Sequence, residues 1–399
     1  MHGDVALALI LMTAGAMAMP AAARMLAIPV AVTEILYGVL LGQSGLQLVS
    51  DDSTFMTALS ELGFALFLFL AGLEIDFRGF EKRGLRSLAL PFLLAGLAFA
   101  LALGVAYVFN WGTWVGLAVG ATAVPLLLAV VREARLNGTA LGNTMISFAA
   151  MGELLTIVLL TVVEITEHAH GDPVLLAEGG GRVLAFCAVV VVVLLLLRTL
   201  LWWYPHLFAR LVAHDDPSEF GVRVGFGLML LFVGLSLAAH VEPFLGAFVA
   251  GTLLSFVVRE ADALEHKLAS MAYGFFVPLF FMYVGVRLQV SVELITENAL
   301  WIIGIITVMF SVKVLPGLLL FLRGLDGRQV VATSALLAAP LTLVIAIMDL
   351  GHRAGAVDAE TQAVVITAGI MASLLFPSGA RALLKSDAEP VSTNTAAAH

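Results

Sequence analysis

The chain has 399 residues, of which 61% are hydrophobic and 12% charged, and its formal net charge is -9. A soluble domain carries about 25% charged residues; with half that share and a mean hydropathy of +1.04, the composition is that of a polytopic membrane protein. The acidic balance argues against a nucleic-acid binder, which needs a basic stripe. The single cysteine, Cys187, excludes an intrachain disulfide and a cysteine-built metal site.

A bilayer core of about 30 Å takes about 20 apolar residues per helix. Thirteen runs meet that need in chain order: residues 5–24, 28–49, 54–74, 86–108, 113–134, 139–166, 182–205, 219–240, 243–259, 268–289, 297–322, 329–350 and 362–384. Stretches such as Val189 to Leu197 do not alternate as barrel strands do, so the expected fold is all-α with about 13 transmembrane helices. The first run reads as a retained span and not a signal peptide, because Asp4 precedes it and no Lys or Arg does. With the N-terminus outside, the inner loops and tail hold 15 of the 20 basic residues; the outer loops hold Arg182, Arg287 and Arg353. This bias predicts an outer N-terminus and a cytoplasmic C-terminus. Residues 1–385 then form a single transmembrane domain, and 386–399 a disordered polar tail.

The third and tenth runs share a pattern. Residues 66–76 read LFLFLAGLEID and 279–289 read LFFMYVGVRLQ. Setting Gly72 on Gly285 gives an offset of 213 residues, and the same offset sets Gly38 on Gly251, each after a proline (Pro29 and Pro243). The second run thus maps onto the ninth. Seven spans is an odd number, so the copies enter the membrane from opposite sides, and an inverted repeat of runs 2–6 and 9–13 is expected.

Ionisable groups at a helix centre cost about 2.5–3.5 kcal/mol on insertion scales, so each needs a reason. Lys313 lies deep in the eleventh run, as an ion-pair partner or a working cation. Arg198 is close enough to a span end to reach the interface. Glu153 is the foremost acid, with Thr156 on the same face at i+3 and Gly152 beside it to admit a neighbouring backbone. Burial favours a neutral carboxyl and a nearby cation favours the ionised one. A group held between these influences binds a proton or a cation, but not both, which is the minimum an exchanger needs. Glu34 and Glu61 read as structural, hydrogen-bonded groups. Asp349 and His240 lie at span ends, where water serves them, and His168 and His170 lie in an outer loop.

Two runs carry helix breakers at mid-depth: Gly120, Thr122 and Pro125 in the fifth, and Pro340 with Thr342 in the twelfth. Proline removes a donor and crowds the preceding turn, and broken backbone at that depth survives only when buried or lining a cavity. The two runs are repeat-related. They are therefore expected to be discontinuous helices that cross and aim opposite dipole ends at one place. No Walker-type loop, nucleophile elbow or paired metal-binding histidines occur, so no enzyme and no cofactor is expected.

The run from Ile28 to Leu46, the block from Ser60 to Asp76 and the block from Phe275 to Gly285 together resemble the monovalent cation/proton antiporter superfamily, second branch, the sodium/hydrogen exchanger membrane domain. The likeness covers nearly the whole chain in order. It implies that Glu153 stands where the family usually has an aspartate, that Lys313 faces the acid as a compensating cation, and that Thr122 belongs to the ion site. It also implies a core of runs within 86–166 and 297–384 that slides against a dimerising scaffold of runs within 5–74 and 219–289, with 182–205 as linker. The chain departs from the pattern at Glu153, one methylene longer than aspartate, and at Gly152, where an Asp, Asn or Gln is usual. It departs again at Leu341-Thr342, where Gly-Glu is frequent. The expected activity is exchange of protons for Na⁺ or K⁺ across an inner membrane by a homodimer, with one carboxylate carrying one proton per cation. Two other readings remain open: a sodium-coupled organic anion symporter of the same architecture, and a non-transporting sensor or partner subunit.

Overall fold

The computed structural model describes residues 3–26, 28–50, 53–73, 86–134, 136, 139–169, 172–203, 218–239, 241, 243–257, 262–288 and 292–384, and every regular element among them is helical. The tail expected at 386–399, and His170 and His240, lie outside the described residues, as do the side chains of Arg198 and His168. Ten of these helices are long and apolar enough to cross a membrane, and two shorter apolar helices span Val30–Leu41 and Pro243–Val257. The β-branched stretch Val189–Val193 weakens a helix in water, yet it lies inside a helix here. In hydrocarbon a helix is the local way to satisfy every backbone group.

The chain divides into two compact units. The first, Met1–Ser87 with Ile157–Thr296, contains α1 (Gly3–Leu26), α2 (Val30–Leu41) and α3 (Thr54–Leu73), which precede the excursion into the second unit. After the excursion it adds α8 (Pro173–Trp203), α9 (Phe220–Ala238), α10 (Pro243–Val257), α11 (Asp262–Met271) and α12 (Val277–Arg287). Here α2 packs on α12 and on α1, while α3 packs on α10 and α10 on α9. Glycine makes the two closest approaches. A Cβ built on Gly38 would collide with the Met282 carbonyl and stand 3.0 Å from the Gly285 Cα; one on Gly251 would collide with the Phe69 carbonyl and stand 3.0 Å from the Leu73 nitrogen. Backbone thus lies against backbone in both pairs. Gly38, Gly251 and Gly285 are three of the four glycines that the 213-residue offset links, and a Cβ on the fourth, Gly72, would collide with the Phe248 carbonyl.

Aromatic rings fill the remainder of this unit. Phe64 stacks on Phe280 at 4.8 Å and meets the edge of Phe244 at 4.3 Å. The buried Tyr283 shares a hydrogen bond of 2.9 Å with the Thr57 hydroxyl. Between α11 and α12 the helix widens into a π turn over Ala272–Phe276. Pro278 explains it: its missing N–H leaves a preceding carbonyl without its α-helical donor. Glu34 departs from expectation. It is buried, 3% exposed, but makes no hydrogen bond with a described residue.

The second unit, Leu88–Thr156 with Glu297–His399, holds most of α4 (Arg86–Val108), all of α5 (Thr113–Gly120) and α6 (Val124–Glu133), and the first half of α7 (Ala140–Ala169). A short α13 (Val292–Glu297) leads back into it, followed by α14 (Ala299–Gly317), α15 (Gly327–Leu337), α16 (Leu341–Arg353) and α17 (Ala359–Leu384). Helices α15 and α16 pack on α17, α14 on α15 and α17, α5 on α16, and α6 on α15 and α17. Leu127, Val130, Met145, Ala332 and Leu336 centre one apolar cluster.

Caps close the helix ends. Asp326 and Gln329 form a capping box at α15. Ahead of α17, Asp358 Oδ1 accepts the Thr361 N–H at 2.8 Å and Oδ2 the Thr361 hydroxyl at 3.0 Å. These bonds, the Thr361 amide foremost, hold the Asp358 carboxyl below its ordinary range. Asp349, expected to rest on water alone, pairs with Arg353 at 2.7 Å: the two are one turn apart on α16, so the pair forms locally.

Candidate functional site

The fifth apolar run is interrupted at residues 121–123, between α5 and α6, and the twelfth at residues 338–340, between α15 and α16. Neither proline at these two breaks takes a donor from a running helix. Pro125 is the second residue of α6, and Pro340 immediately precedes α16. A first-turn proline gives up an N–H that has no intrahelical partner anyway, so both prolines mark where the helix resumes. Gly120 is the last residue of α5, as expected of a break position. Thr342 lies in the first turn of α16, partly buried.

An interruption leaves carbonyls orphaned behind it and amides orphaned ahead of it. Side chains from two distant helices meet them. From α14, the Lys313 ammonium donates to the Gly120 carbonyl and, at 3.0 Å, to the Thr122 hydroxyl. From α7, the Thr156 hydroxyl accepts the Thr122 N–H at 3.4 Å while donating to the Gly152 carbonyl at 2.7 Å. Glu153 Oε2 accepts the Val124 N–H at 2.9 Å. All four side chains are buried, with Glu153 1% and Lys313 5% exposed.

The electrostatics follow from the half-helix ends. A helix carries roughly half a positive charge at its N-terminus and half a negative charge at its C-terminus. The ammonium stands at the C-terminal end of α5 and the carboxylate at the N-terminal end of α6, so each charge meets the dipole end that favours it. Lys313 makes no ion pair with Glu153 among the described contacts. Its hydrogen bonds go to the Gly120 carbonyl and the Thr122 oxygen. The Phe99 ring centroid, 5.4 Å from the ammonium, adds a π face.

Gly152 explains how α7 comes so near. A Cβ there would stand 2.8 Å from the Thr122 Cβ and 3.0 Å from its hydroxyl oxygen, tighter than packing allows. Beside Thr122 and Lys313 lies a cavity of about 30 Å³, whose lining includes Phe148, Gly152, Ser334 and Leu337.

The structure therefore brings together Gly120, Thr122, Glu153, Thr156 and Lys313, each singled out from sequence. The Thr156 hydroxyl is engaged with two backbone groups, the Thr122 N–H and the Gly152 carbonyl. Sequence reasoning missed Phe99 and Ser334. The signal for Ser334 was available: Thr333 and Ser334 are adjacent small polar residues in an apolar run, and the Ser334 hydroxyl donates to the Lys313 carbonyl at 3.4 Å. Among the described residues no three His, Cys, Asp or Glu side chains gather as a metal site.

The chain is similar to proteins named as cation/proton antiporters. It is 27% identical over 388 residues to YjbQ of Bacillus subtilis, covering 93% of this chain and 61% of that protein. It is 23% identical over 365 residues to the Na(+)/H(+) antiporter of Enterococcus hirae, covering 89% and 91%. The chain spans only 34% of the length of two Arabidopsis thaliana cation/H(+) antiporters that it also matches. Its fold is similar to that of the sodium proton antiporter MjNhaP1 from Methanocaldococcus jannaschii, with a TM-score of 0.65 over 96% of this chain and 99% of that one at 15% identity. Residues 8–386 match the model of the sodium/hydrogen exchanger transmembrane family; the chain belongs to that family.

Proposed function

We propose that the chain exchanges protons for a monovalent cation, Na⁺ or K⁺, across a cell membrane. The observation that carries this reading is the interrupted helix furnished with oxygen: the buried Glu153 carboxylate at the start of α6, next to the Thr122 segment whose hydroxyl and neighbouring carbonyl are held by the Lys313 ammonium. A dehydrated cation needs several oxygens in a small volume, and a carboxylate that takes it up must first have lost its proton. Competition of the two for Glu153 yields exchange once the site opens to each side in turn.

The grouping of the break, Glu153 and Lys313 within one compact unit supports an elevator-type step, in which that unit carries the site as a body. The fifteen-to-three bias of basic residues supports thirteen spans with an outer N-terminus and a cytoplasmic C-terminus in an inner membrane, and the family likeness supports a homodimer. The contacts of α5 with α16 and of α6 with α15 are those that crossed, repeat-related helices would make. The cavity beside Lys313, at about 30 Å³, has no room for an organic anion, so the symporter reading gains nothing from it.

The test is proton flux in proteoliposomes with Na⁺, K⁺ and Li⁺ supplied in turn. Cation-dependent flux is expected, and Glu153→Gln should abolish it while the purified protein keeps its melting behaviour. Full exchange by the variant would remove Glu153 from the mechanism.

A further inference from the structure

A lysine ammonium carries three N–H donors. The Gly120 carbonyl and the Thr122 hydroxyl take two of those on Lys313, and no described acid pairs with it. An ammonium withdrawn from water is expensive unless each donor is met. Lys313 also lines the cavity of about 30 Å³, where Thr122 and Ser334 are the other polar residues and the remaining nine are apolar or glycine. A water molecule needs about 10–15 Å³ and two to four polar partners. The cavity offers about twice that volume and three partners.

We infer that this cavity is a hydration chamber for Lys313, a site that binds one or two water molecules between the ammonium, Thr122 and the Ser334 hydroxyl. Its wall residues belong to the stretch of unit 2 between the break and the end that carries Arg323 and Arg328: Phe148 lies before Glu153 on α7, Leu320 follows Lys313 toward Arg323, and Ser334 follows Arg328 on α15. The chamber thus lies on one side of the broken helix, within the unit that holds the site.

The inference rests on the exchange reading above and adds a role to it. When a cation claims the Thr122 oxygen, Lys313 must release that bond, and water in the chamber takes the freed donor. Ser334 acts through that water and is a positioning residue. Its hydroxyl is fully buried, 0% exposed, yet its only described bond is the long one to the Lys313 carbonyl, which leaves lone pairs for the chamber.

Hydroxyl-radical footprinting of the full chain in detergent, read by mass spectrometry, tests the water. Radicals form at bound water, so Phe148, 4% exposed, should be oxidised at least fivefold faster than Phe64, also 4% exposed. Ala98→Leu, which fills the chamber, should cut that rate severalfold. Ser334→Ala serves where the larger residue impairs folding. In proteoliposomes either variant should raise the cation KM about tenfold with the maximal rate largely kept, a split that a merely structural role does not produce. Equal oxidation of Phe148 and Phe64 would show a dry cavity and overturn the inference; so would an unchanged KM in a folded variant with the chamber filled. The footprint needs no transport. A dry chamber therefore leaves the exchange reading standing, and absent exchange by the unaltered protein would sink that reading while the footprint still reports the water.

Discussion

Thr122 is held from three directions: its hydroxyl by Lys313, its N–H by Thr156, and its side chain against the bare Cα of Gly152. Gly152→Ala puts a methyl 2.8 Å from the Thr122 Cβ, and neither backbone can retreat without losing a bond. The expected outcome is a folded protein whose cation-dependent proton flux falls about tenfold, near 1.4 kcal/mol of lost stabilisation, measured beside a thermal melt that moves little. Charged and small residues at this site were legible in the sequence because an ionisable group in an apolar run stands out against its neighbours. The partner of Lys313 was not. A long flexible stem reaches whichever acceptor the tertiary fold supplies, and here that is the carbonyl of a residue 193 positions away. Phe99 and Ser334 were hidden for the opposite reason, since phenylalanine and serine are ordinary in a membrane helix.

Between elements, glycine separates contacts that cannot change from positions that can. A methyl on Gly251 meets the Phe69 carbonyl, whereas one on Gly96 in α4 meets nothing within 4 Å. Gly251→Ala should therefore destabilise the protein by about 1–3 kcal/mol through forced separation of α3 and α10, and Gly96→Ala should be neutral or stabilise by up to about 1 kcal/mol through helix propensity. Paired unfolding curves in mixed micelles check both.

The cap of α17 carries a pH signature. With its folded-state carboxyl held below the ordinary range, Asp358 contributes stability that is complete above the usual aspartate value and is lost as pH falls through the lowered one. Asp358→Asn should flatten that acid-side loss, read as melting temperature against pH. The two interruptions were legible from their breakers, Gly120, Pro125 and Pro340, to within a few residues. Proline drew attention to Pro125 and Pro340, while the chain leaves the helix at Ala121 and Ala338, before each proline. The π turn at Ala272–Phe276 had no signal beyond Pro278 itself.

For the whole molecule, charge arithmetic yields a prediction about voltage. Gly152 supplies no second acid beside Glu153, so one proton should be traded for one cation and the cycle should carry no net charge. Proton flux under a valinomycin-clamped potential should stay constant across imposed voltages of either sign, and a steady transport current would refute this stoichiometry. Glycines that the 213-residue offset links stand where backbones touch; the grouping of runs into core and scaffold came from the family resemblance and not from composition.

The broken helix also bears on biogenesis. Its orphaned groups are met by Glu153 and Thr156, about 30 positions later, and by Lys313, 191 to 193 positions later. A nascent chain still short of α14 has the interruption but not the ammonium that closes it, and contacts so remote in sequence form last. On the exchange reading, the ion site is thus finished only once Lys313 on α14 has joined it, 193 residues after Gly120. A copy that stops short of α14 holds no complete site through which ions could leak.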